Sequence, residues 1–337
     1  MRYNKVYVIA PYAHATGGVE LGHQLVDVLR RKGVEAYIVY MHNDSISKKQ
    51  DVTKEYRKYN IATSCEIEDS ISNILVLPEI WFHLTLRYQK ISIACWWMSV
   101  DNHYINNVSL IDALLFFPSL YQKAKVFYKY LFKGFYRGQY SDKLLKKDEV
   151  RITHLYQSFY AQQYLYSKGY SKILPLSDYI NSDFESNNLD IKRENIILYN
   201  PQKGLEFTKK IIDSDNKYKY IPLVGLTRKE LVSLMRRAKL YIDFGHFPGK
   251  DRLSREAVIN GCCIITGKLG ASYFYEDVPI SSDYKFEVKE SNISSIKNKI
   301  DCIMKDYPNH NEEFNCYRTM VMKEKDRFYQ QVDDFFI

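Results

Sequence analysis

The sequence predicts an α/β protein with two Rossmann-like domains that face each other across a cleft. Three observations point to this fold class. Short β-type runs alternate with helical patterns in both halves of the chain, as expected for helices that cover the faces of a parallel sheet. The 337 residues are enough for two domains of ordinary size. Polar and basic side chains follow several predicted strands, at the edge where open α/β sheets bind ligands.

The predicted domains span residues 1–183 and 184–337, with a turn-rich segment at 181–188 between them. The last predicted helix, 312–335, is long enough to pack back onto the first domain. Apolar content of 46% and charged content of 26% fit a folded, soluble protein. The sequence shows neither an apolar signal-peptide region nor a run of eighteen apolar residues, so we expect a cytoplasmic location. The six cysteines form no CxxC pair and are expected to be reduced core thiols.

The first half opens with a βαβ pattern. Residues 6–10 and 36–40 are β-type runs, and residues 19–31 carry apolar side chains at helical spacing. Gly17 and Gly18 lie in the first turn and allow the backbone to approach a diphosphate or a sugar closely. The turn is not GxGxxG, so it gives little support to ordinary dinucleotide binding.

Further strands are predicted at residues 73–77 and 91–98, and the second leads directly into Asp101 and His103. Asp101 is a candidate general base or a carboxylate that orients an acceptor, and His103 could serve the same ends. A helix start with Asp101 or Asn102 as the N-cap is an equal alternative.

Residues 122–151 form a block of basic and aromatic side chains. It contains nine basic and three acidic residues, a net charge of +6 out of +8 for the whole chain. Lysines interleaved with Phe, Tyr and Leu suit a surface that rests on an anionic membrane. A pair of solvated helices is the alternative. A nucleic-acid patch is disfavoured because no recognised nucleic-acid fold accompanies the block.

A second α/β pattern follows. A strand is predicted at residues 195–199, and the turn 200–204 leads into a helix ending near Ile212. Another strand, 220–224, ends at Gly225. Thr227 and Glu230 then form a capping box that opens the next helix.

The most informative stretch is 241–270, which reads as strand, loop, helix and strand. The loop 246–252 precedes a helix for which Ser254 is the expected N-cap. Free backbone N–H groups and the helix dipole make such a position suitable for an anion. Glu256, in the first helical turn, could accept hydrogen bonds from sugar or ribose hydroxyls. The basic side chains that could add donors to an anion are His246, Lys250, Arg252 and Arg255. A charged surface loop with a stabilising glutamate is the alternative.

Taken together, these residues resemble the GT-B glycosyltransferases, a large group that includes bacterial lipopolysaccharide and capsule enzymes. The resemblance implies that the first domain binds the acceptor and the second binds the nucleotide sugar. In the family, a Gly-Gly turn faces the donor diphosphate, a basic residue at the first turn of the second domain holds it, and a helix-opening glutamate binds the ribose. The implied donor-binding residues are Gly17, Gly18, Lys203, Gly225, His246, Gly249, Lys250, Arg252, Arg255 and Glu256.

Two departures from the family pattern affect the expected roles. The family often has an arginine several residues before the Lys-Gly turn, where this chain has Tyr199 and Asn200. Its Glu-x7-Glu pattern would place an acid at position 248, which is Pro248. We therefore expect Arg252, Arg255 or Lys250 to supply the second positive charge that contacts the diphosphate.

The expected function is metal-independent sugar transfer from a nucleotide sugar to a saccharide or lipid-linked saccharide, in cell-surface polysaccharide biosynthesis. No cofactor is expected. The single Asp-x-Asp, residues 213–215, lies where a helix ends and is read as a solvated turn. A nucleotide-sugar epimerase and a non-catalytic scaffold of the same fold are the alternatives. The sequence leaves the nucleotide, the sugar, the acceptor and the stereochemical outcome open.

Overall fold

The computed structural model describes residues 2–337 except 15, 43, 107–109, 117–119, 134–144, 147, 182–183 and 185–191. The chain forms two compact units. Unit 1 comprises Met1–Asp178 and Arg327–Ile337, and unit 2 comprises Tyr179–Asp326. The predicted domain boundary at 183/184 lies beside residues outside the described ranges.

Unit 1 is built on a sheet in which seven strands are described, in the order β3-β2-β1-β4-β5-β6-β7. All neighbours are parallel except β2 and β3. The strands are β1 (Lys5–Pro11), β2 (Glu35–His42), β3 (Ser45–Ile46), β4 (Ile74–Pro78), β5 (Ser92–Trp97), β6 (Ile152–Tyr156) and β7 (Ile173–Pro175). The described α-helices of this half are α1 (Gly17–Arg31), α2 (Val100–Asn106), α3 (Leu110–Phe116), α4 (Leu120–Lys133) and α5 (Phe159–Ser167), with 3-10 turns at Lys54–Tyr56 and Glu79–Arg87.

The central strands of unit 1 are buried along almost their whole length, as expected for a parallel sheet covered on both faces. The strand order reverses between β1 and β4, because β2 lies on one side of β1 and β4 on the other. Such a reversal leaves a crevice at the carboxyl ends of the two strands. The residues after β1 and β4 therefore frame the first candidate binding edge.

Unit 2 has a sheet in which five strands are described, in the order β12-β11-β10-β8-β9, all parallel. The strands are β8 (Glu194–Tyr199), β9 (Lys219–Pro222), β10 (Ala238–Asp243), β11 (Cys263–Gly267) and β12 (Lys285–Phe286). Its α-helices are α6 (Leu205–Asp213), α7 (Arg228–Arg237), α8 (Arg252–Ile259), α9 (Ile293–Lys305), α10 (Tyr307–Glu312) and α11 (Asn315–Met322), with 3-10 turns at Ala271–Tyr273, Ser282–Tyr284 and Glu290–Asn292. Here the order reverses between β8 and β10, which places the second crevice at their carboxyl ends.

The prediction of one long helix over residues 312–335 is wrong. The chain forms α10, α11 and a last helix, α12 (Glu324–Phe336), with breaks near Glu313 and at Lys323. The apolar residues of these helices are buried in different units. Phe314 and Tyr317 are buried in unit 2, whereas Phe335 and Phe336 are buried in unit 1.

The C-terminal residues of α12 contact the first residues of the chain within unit 1. The backbone N–H of Arg2 donates to the Phe336 carbonyl, and Lys32 Nζ lies 2.8 Å from an Asp333 carboxylate oxygen. Among the described residues, no helix combines the length and apolar character that a bilayer crossing requires.

The cysteines are all free, but only half of them are core residues. Cys95, Cys262 and Cys263 are buried, as predicted for the adjacent pair in a strand. Cys65, Cys302 and Cys316 are exposed, so the expectation of six core thiols is wrong for these three.

Candidate functional site

The crevice of unit 2 brings together the turn after β8 and the loop after β10. Gly204 has a φ of +64°, and a Cβ there would lie 2.4 Å from the Gly245 nitrogen. A Cβ on Gly245 would in turn lie 2.4 Å from Lys203 Cγ. Neither position has room for a side chain. The two glycines therefore allow the backbones of the two loops to touch, and they set the position of Lys203.

Lys203 is held by two carboxylates. Its Nζ lies 2.5 Å from Asp251 Oδ2 and 3.3 Å from Asp243 Oδ2, and it sits 3.7 Å from the centre of the Phe247 ring. Burial lowers the pKa of Lys203, but Asp251 and Asp243 outweigh this effect and raise it above its usual range. The ammonium group is therefore charged at neutral pH.

Asp243, the last residue of β10, organises the start of the loop. Its Oδ1 accepts a hydrogen bond from the Gly245 N–H at 2.8 Å, and its Oδ2 accepts one from the Tyr241 hydroxyl at 2.9 Å. Burial raises the pKa of this carboxyl, against the opposing effect of Lys203. The sequence pattern predicts Asp243 only as part of a strand. An acid at the carboxyl end of a mostly apolar strand is the signal that could have identified it.

The N-cap of α8 is Asp251, so the prediction of Ser254 is wrong. The Asp251 side chain accepts a hydrogen bond from the Ser254 N–H at 3.3 Å, the bond expected of an N-cap. Ser254 lies inside the first turn, and its hydroxyl lies 3.2 Å from that of Tyr317. The helix thus begins at Arg252, and its N-cap side chain is the one that pairs with Lys203.

Arg252 and Glu256 lie one helical turn apart, with Arg252 Nε 3.6 Å from Glu256 Oε1. Glu256 is 5% exposed. Burial raises the pKa of its carboxyl to about 7, against the opposing charges of Arg252 and Arg255. Glu256 therefore changes its charge near neutral pH, where a ribose-binding or proton-carrying group is most responsive to its surroundings.

Lys250 and Arg255 are turned towards a residue that sequence reasoning missed. Lys250 Nζ lies 2.7 Å from Glu324 Oε1, and Arg255 Nη1 donates to Glu324 Oε2 at 2.8 Å. Glu324 lies about seventy positions after Arg255 and opens a different helix, so no local pattern reveals the contact. Donor binding by Lys250 and Arg255 stays a prediction, and the described geometry gives both a buried structural partner.

Carboxylates offset much of the positive charge that the loop sequence indicates. Four cations lie within ion-pair distance of a carboxylate. The pairs are Lys203 with Asp243 and Asp251, Lys250 and Arg255 with Glu324, and Arg252 with Glu256. The N-terminus of α8, through its first N–H groups and its dipole, adds a source of attraction for an anion that these ion pairs do not offset.

The other predicted donor residues lie on the same edge of the sheet. The Phe247 N–H donates to Leu269, and the Ala271 N–H donates back to Phe247, so the loops after β10 and β11 are joined. A Cβ on Gly270 would lie 2.8 Å from His246 Cε1, which shows how closely this imidazole approaches the second loop. Gly249 is buried in the first loop. Gly225 is exposed after β9, with a φ of +69°.

At the crevice of unit 1, Gly17 and Gly18 begin α1, and a Cβ on Gly18 would lie 3.9 Å from Met98 Sδ. Glu79, directly after β4, is a further residue that sequence reasoning missed. Its carboxylate accepts hydrogen bonds from the Met98 N–H at 3.3 Å and from Asn102 Nδ2 at 3.1 Å. Burial raises its pKa to about 7. The Gly17–Gly18 turn and the carboxyl of Glu79, which titrates near neutrality, thus both lie next to Met98 at the end of β5.

Asp101 lies in the first turn of α2 and is largely buried. The expected cap at Asp101 or Asn102 is wrong, because Ser99 Oγ accepts the hydrogen bond from the Asn102 N–H at 3.2 Å. Burial and, to a smaller extent, the charge of Asp101 raise the pKa of Tyr160. The role of Asp101 as a base stays a prediction.

His103 lies in an aromatic cluster rather than at the surface of the crevice. Its ring is fully buried, with centroids 4.7 Å from Trp97, 5.6 Å from Phe82 and 5.7 Å from Tyr104. This location favours a packing role. Contact with a substrate would require the cluster to open, so the predicted catalytic role has no support from its position.

The Asp-x-Asp of residues 213–215 lies where the sequence predicts, at the end of α6 and in the turn after it. Asp215 accepts hydrogen bonds from the Lys217 N–H at 3.0 Å and from the Tyr220 hydroxyl at 2.7 Å. Within the described residues, no cluster of three His, Cys, Asp or Glu side chains could hold a metal ion.

Several solved structures share this fold over nearly the whole chain. Sucrose-phosphate synthase from Thermosynechococcus elongatus has a TM-score of 0.63 at 12% identity and covers 99% of this chain and 98% of its own. HepE from Anabaena, in complex with UDP-glucose, has a TM-score of 0.61 at 8% identity, with 98% of each chain covered. A mutant of S. aureus TarM in complex with UDP has a TM-score of 0.52 at 11% identity and covers 80% of this chain.

At these identities the shared property is the fold. The chain has the GT-B fold of two Rossmann-like α/β units, and the fold class predicted from the sequence is confirmed. The chain spans 56% of the length of TarM. No protein-family model and no curated protein sequence matches the chain.

Proposed function

We propose that this protein is a glycosyltransferase that moves a sugar from a nucleotide sugar to a saccharide or lipid-linked saccharide acceptor, without a metal ion. The observation that carries the proposal is the Asp251-capped N-terminus of α8 at the strand-order reversal of unit 2, with Lys203 and Glu256 beside it. The GT-B fold supports it, because the similar structure of HepE holds UDP-glucose.

The donor diphosphate is proposed to bind against the first N–H groups of α8. As the bond between the anomeric carbon and the diphosphate breaks, negative charge grows on the leaving group. The helix N-terminus and Lys203 are fixed before the reaction, so they stabilise that charge without reorganising. Arg252, the first residue of the helix, is the arginine best placed to add a third positive contact.

Glu256 is proposed to accept hydrogen bonds from the ribose hydroxyls. An ionised carboxylate accepts hydrogen bonds at both oxygens, whereas the protonated carboxyl carries an O–H donor and has less capacity to accept. A pKa of about 7 leaves a large fraction of Glu256 protonated in the empty site. Two donated hydroxyl hydrogens would favour the ionised form. Binding of the nucleotide is therefore expected to release a proton from this residue.

The acceptor is proposed to bind at the crevice of unit 1. The Gly17–Gly18 turn opens α1 there, and Glu79 and Asp101 supply carboxyl groups on neighbouring segments. Asp101 remains the proposed base or acceptor-orienting group. Glu79 is the second candidate because burial raises its pKa to about 7, which suits a general base at neutral pH.

The enzyme is proposed to act in cell-surface polysaccharide biosynthesis, at the cytoplasmic face of the plasma membrane. Support comes from the described part of the basic and aromatic block, since residues 134–144 and 147 lie outside the described ranges. Helix α4 leaves several apolar side chains exposed beside Lys125, and α3, which packs against it, exposes more. The exposed apolar and aromatic residues are Ile111, Leu115, Leu120, Phe127, Tyr128, Tyr130, Leu131 and Phe132.

The proposal is tested by binding and by product analysis. A thermal-shift screen with UDP, GDP, CDP and dTDP identifies the nucleotide, because a ligand of the native state raises its stability. Donor turnover is then measured for Lys203→Ala and Glu256→Gln, with folding checked by circular dichroism. We expect each to lose about 100-fold in kcat/KM, the usual cost of removing one preorganised electrostatic contact. Lys210→Ala, an exposed lysine on α6, is the matched control and should keep full activity.

The outcomes separate the alternatives. Conversion of the nucleotide sugar into an isomer without an acceptor would indicate an epimerase. Failure of the wild-type protein to bind any nucleotide or nucleotide sugar would contradict the proposal and favour a scaffold.

A further inference from the structure

We propose that Glu324 is a positioning residue of the donor site, which holds the loop and the first turn of α8 in the geometry that receives a diphosphate. The inference rests on the proposed function of this edge. It assigns to the C-terminal helices of unit 2 a role in donor binding that no local sequence pattern indicates.

The carboxylate of Glu324 joins the two sides of the helix start. Lys250 comes just before the N-cap, and Arg255 lies one turn inside the helix. Their cationic atoms lie 2.7 Å and 2.8 Å from the two different oxygens of Glu324. The side chains are 5%, 0% and 0% exposed for Lys250, Arg255 and Glu324. One buried carboxylate therefore fixes the last residue of the loop relative to the helix.

The contacts continue from Glu324 to the proposed diphosphate contact. Arg255 Nε donates to the Asp251 carbonyl at 3.0 Å, and the Asp251 side chain lies 2.5 Å from Lys203 Nζ. Helix α11 packs against α8, where the Tyr317 hydroxyl lies 3.2 Å from Ser254 Oγ. A chain of direct contacts, Glu324 to Arg255 to Asp251 to Lys203, thus connects the C-terminal helices to the donor edge.

Removal of the carboxylate would act on the loop more than on the sheet. Leaving Lys250 and Arg255 buried without their shared carboxylate would cost a large free energy. Lys250 can relieve part of that cost by reaching water if the loop moves. Movement of the loop would carry Asp251 and Lys203 away from their present positions. Strands β8 and β10 pair with each other through their backbones and would keep that pairing. Donor affinity is therefore expected to fall while the fold persists.

The experiment compares Glu324→Gln with two controls by isothermal titration calorimetry. The probes are inorganic pyrophosphate and whichever of UDP, GDP, CDP and dTDP stabilises the wild-type protein most. Asp326→Asn removes an exposed acid from the same helical turn. Ile300→Ala shortens a fully buried side chain in α9 and should lower the melting temperature. It changes none of the three residues Glu324, Lys250 and Arg255.

We expect Glu324→Gln to weaken both probes about tenfold or more in Kd, and both controls to stay within about twofold of the wild type. Glu324→Asp, which keeps the charge, should recover part of the lost affinity. Wild-type affinity in Glu324→Gln would overturn the inference, and so would an equal loss in Ile300→Ala, which would reduce the effect to general destabilisation. Absence of binding by the wild-type protein would instead overturn the proposed function.

Discussion

Gly204 and Gly225 both have a left-handed backbone, but their surroundings differ. A Cβ on Gly204 would meet the backbone of Gly245 at 2.4 Å, whereas a Cβ on Gly225 would have nothing within 4 Å. Any L-residue at either position bears the cost of the positive φ, roughly 1–2 kcal/mol. Only at Gly204 is there an additional steric clash with a backbone that cannot move independently.

We therefore expect Gly204→Ala to lower the free energy of unfolding by clearly more than Gly225→Ala, which should cost about 1 kcal/mol. Urea denaturation of the two variants measures the difference. Equal losses would show that the two loops do not approach each other as described.

Glu256 makes stability depend on pH in a predictable direction. Its carboxyl ionises near 4.5 in the unfolded chain and near 7 in the folded protein. Between these values the folded state keeps a proton that the unfolded state has released. Stability therefore falls as the pH rises through this window, by at most about 3 kcal/mol, and the loss is constant above it.

Glu256→Gln removes this titration, so the variant should gain stability relative to the wild type as the pH rises from 5 to 8. The measurement is urea denaturation at both values. Glu206→Gln, at an exposed position on α6, is the control and should show no such gain. The same pH dependence in both variants would contradict the buried environment of Glu256.

The sequence predicted which types of side chain lie in the loop before α8, but not which residues they contact. The sequence indicates a basic loop before a helix, and the structure has that loop. Which carboxylate each cation meets depends on residues far along the chain, such as Asp243 for Lys203 and Glu324 for Arg255. Asp251 rather than Ser254 caps the helix, because only the Asp251 side chain reaches the orphan N–H of the first turn.

Helix α4 exposes apolar side chains that would be buried by a binding partner. Only Val126 is fully buried among its described apolar residues, and Phe127, Tyr128, Leu131 and Phe132 are all exposed. Aromatic side chains beside lysines suit the depth of lipid headgroups.

We expect the triple variant Lys125→Glu, Lys129→Glu and Phe132→Ser to lose binding to vesicles that contain anionic lipid, as measured by co-sedimentation. The reversed charge repels the headgroups and the serine removes apolar area. Lys289→Glu with Lys323→Glu, two changes on unit 2, is the control and should bind as the wild type does. Vesicle binding that survives the triple change would rule out α4 as the membrane surface.

Most helices and strands were predictable because their apolar spacing is regular. The patterns at residues 6–10, 19–31 and 195–199 correspond closely to β1, α1 and β8. The C-terminal helices were not predictable in this way. An unbroken helical pattern over 312–335 does not reveal that different turns are buried in different units. Phe314 is buried in unit 2 and Phe336 in unit 1, and the helix break at Lys323 lies between them.

For the molecule as a whole, the alternation of strand and helix patterns was sufficient for the fold class. Each parallel crossover needs a helix, and two stretches of that alternation in 337 residues make two α/β units. The glycines of both turns and the basic loop could also be predicted from the sequence. Positive φ, close approach and charge are properties of single residues and short segments.

Three properties could not be predicted from the sequence. They are the pairing of charges, the burial that raises the pKa of Glu79 and Glu256 to about 7, and the contact of Glu324 with Lys250 and Arg255. These properties depend on which distant residues become neighbours and on how much water the packed chain excludes. Local patterns carry information on periodicity and charge, whereas desolvation and long-range pairing exist only once the chain has folded.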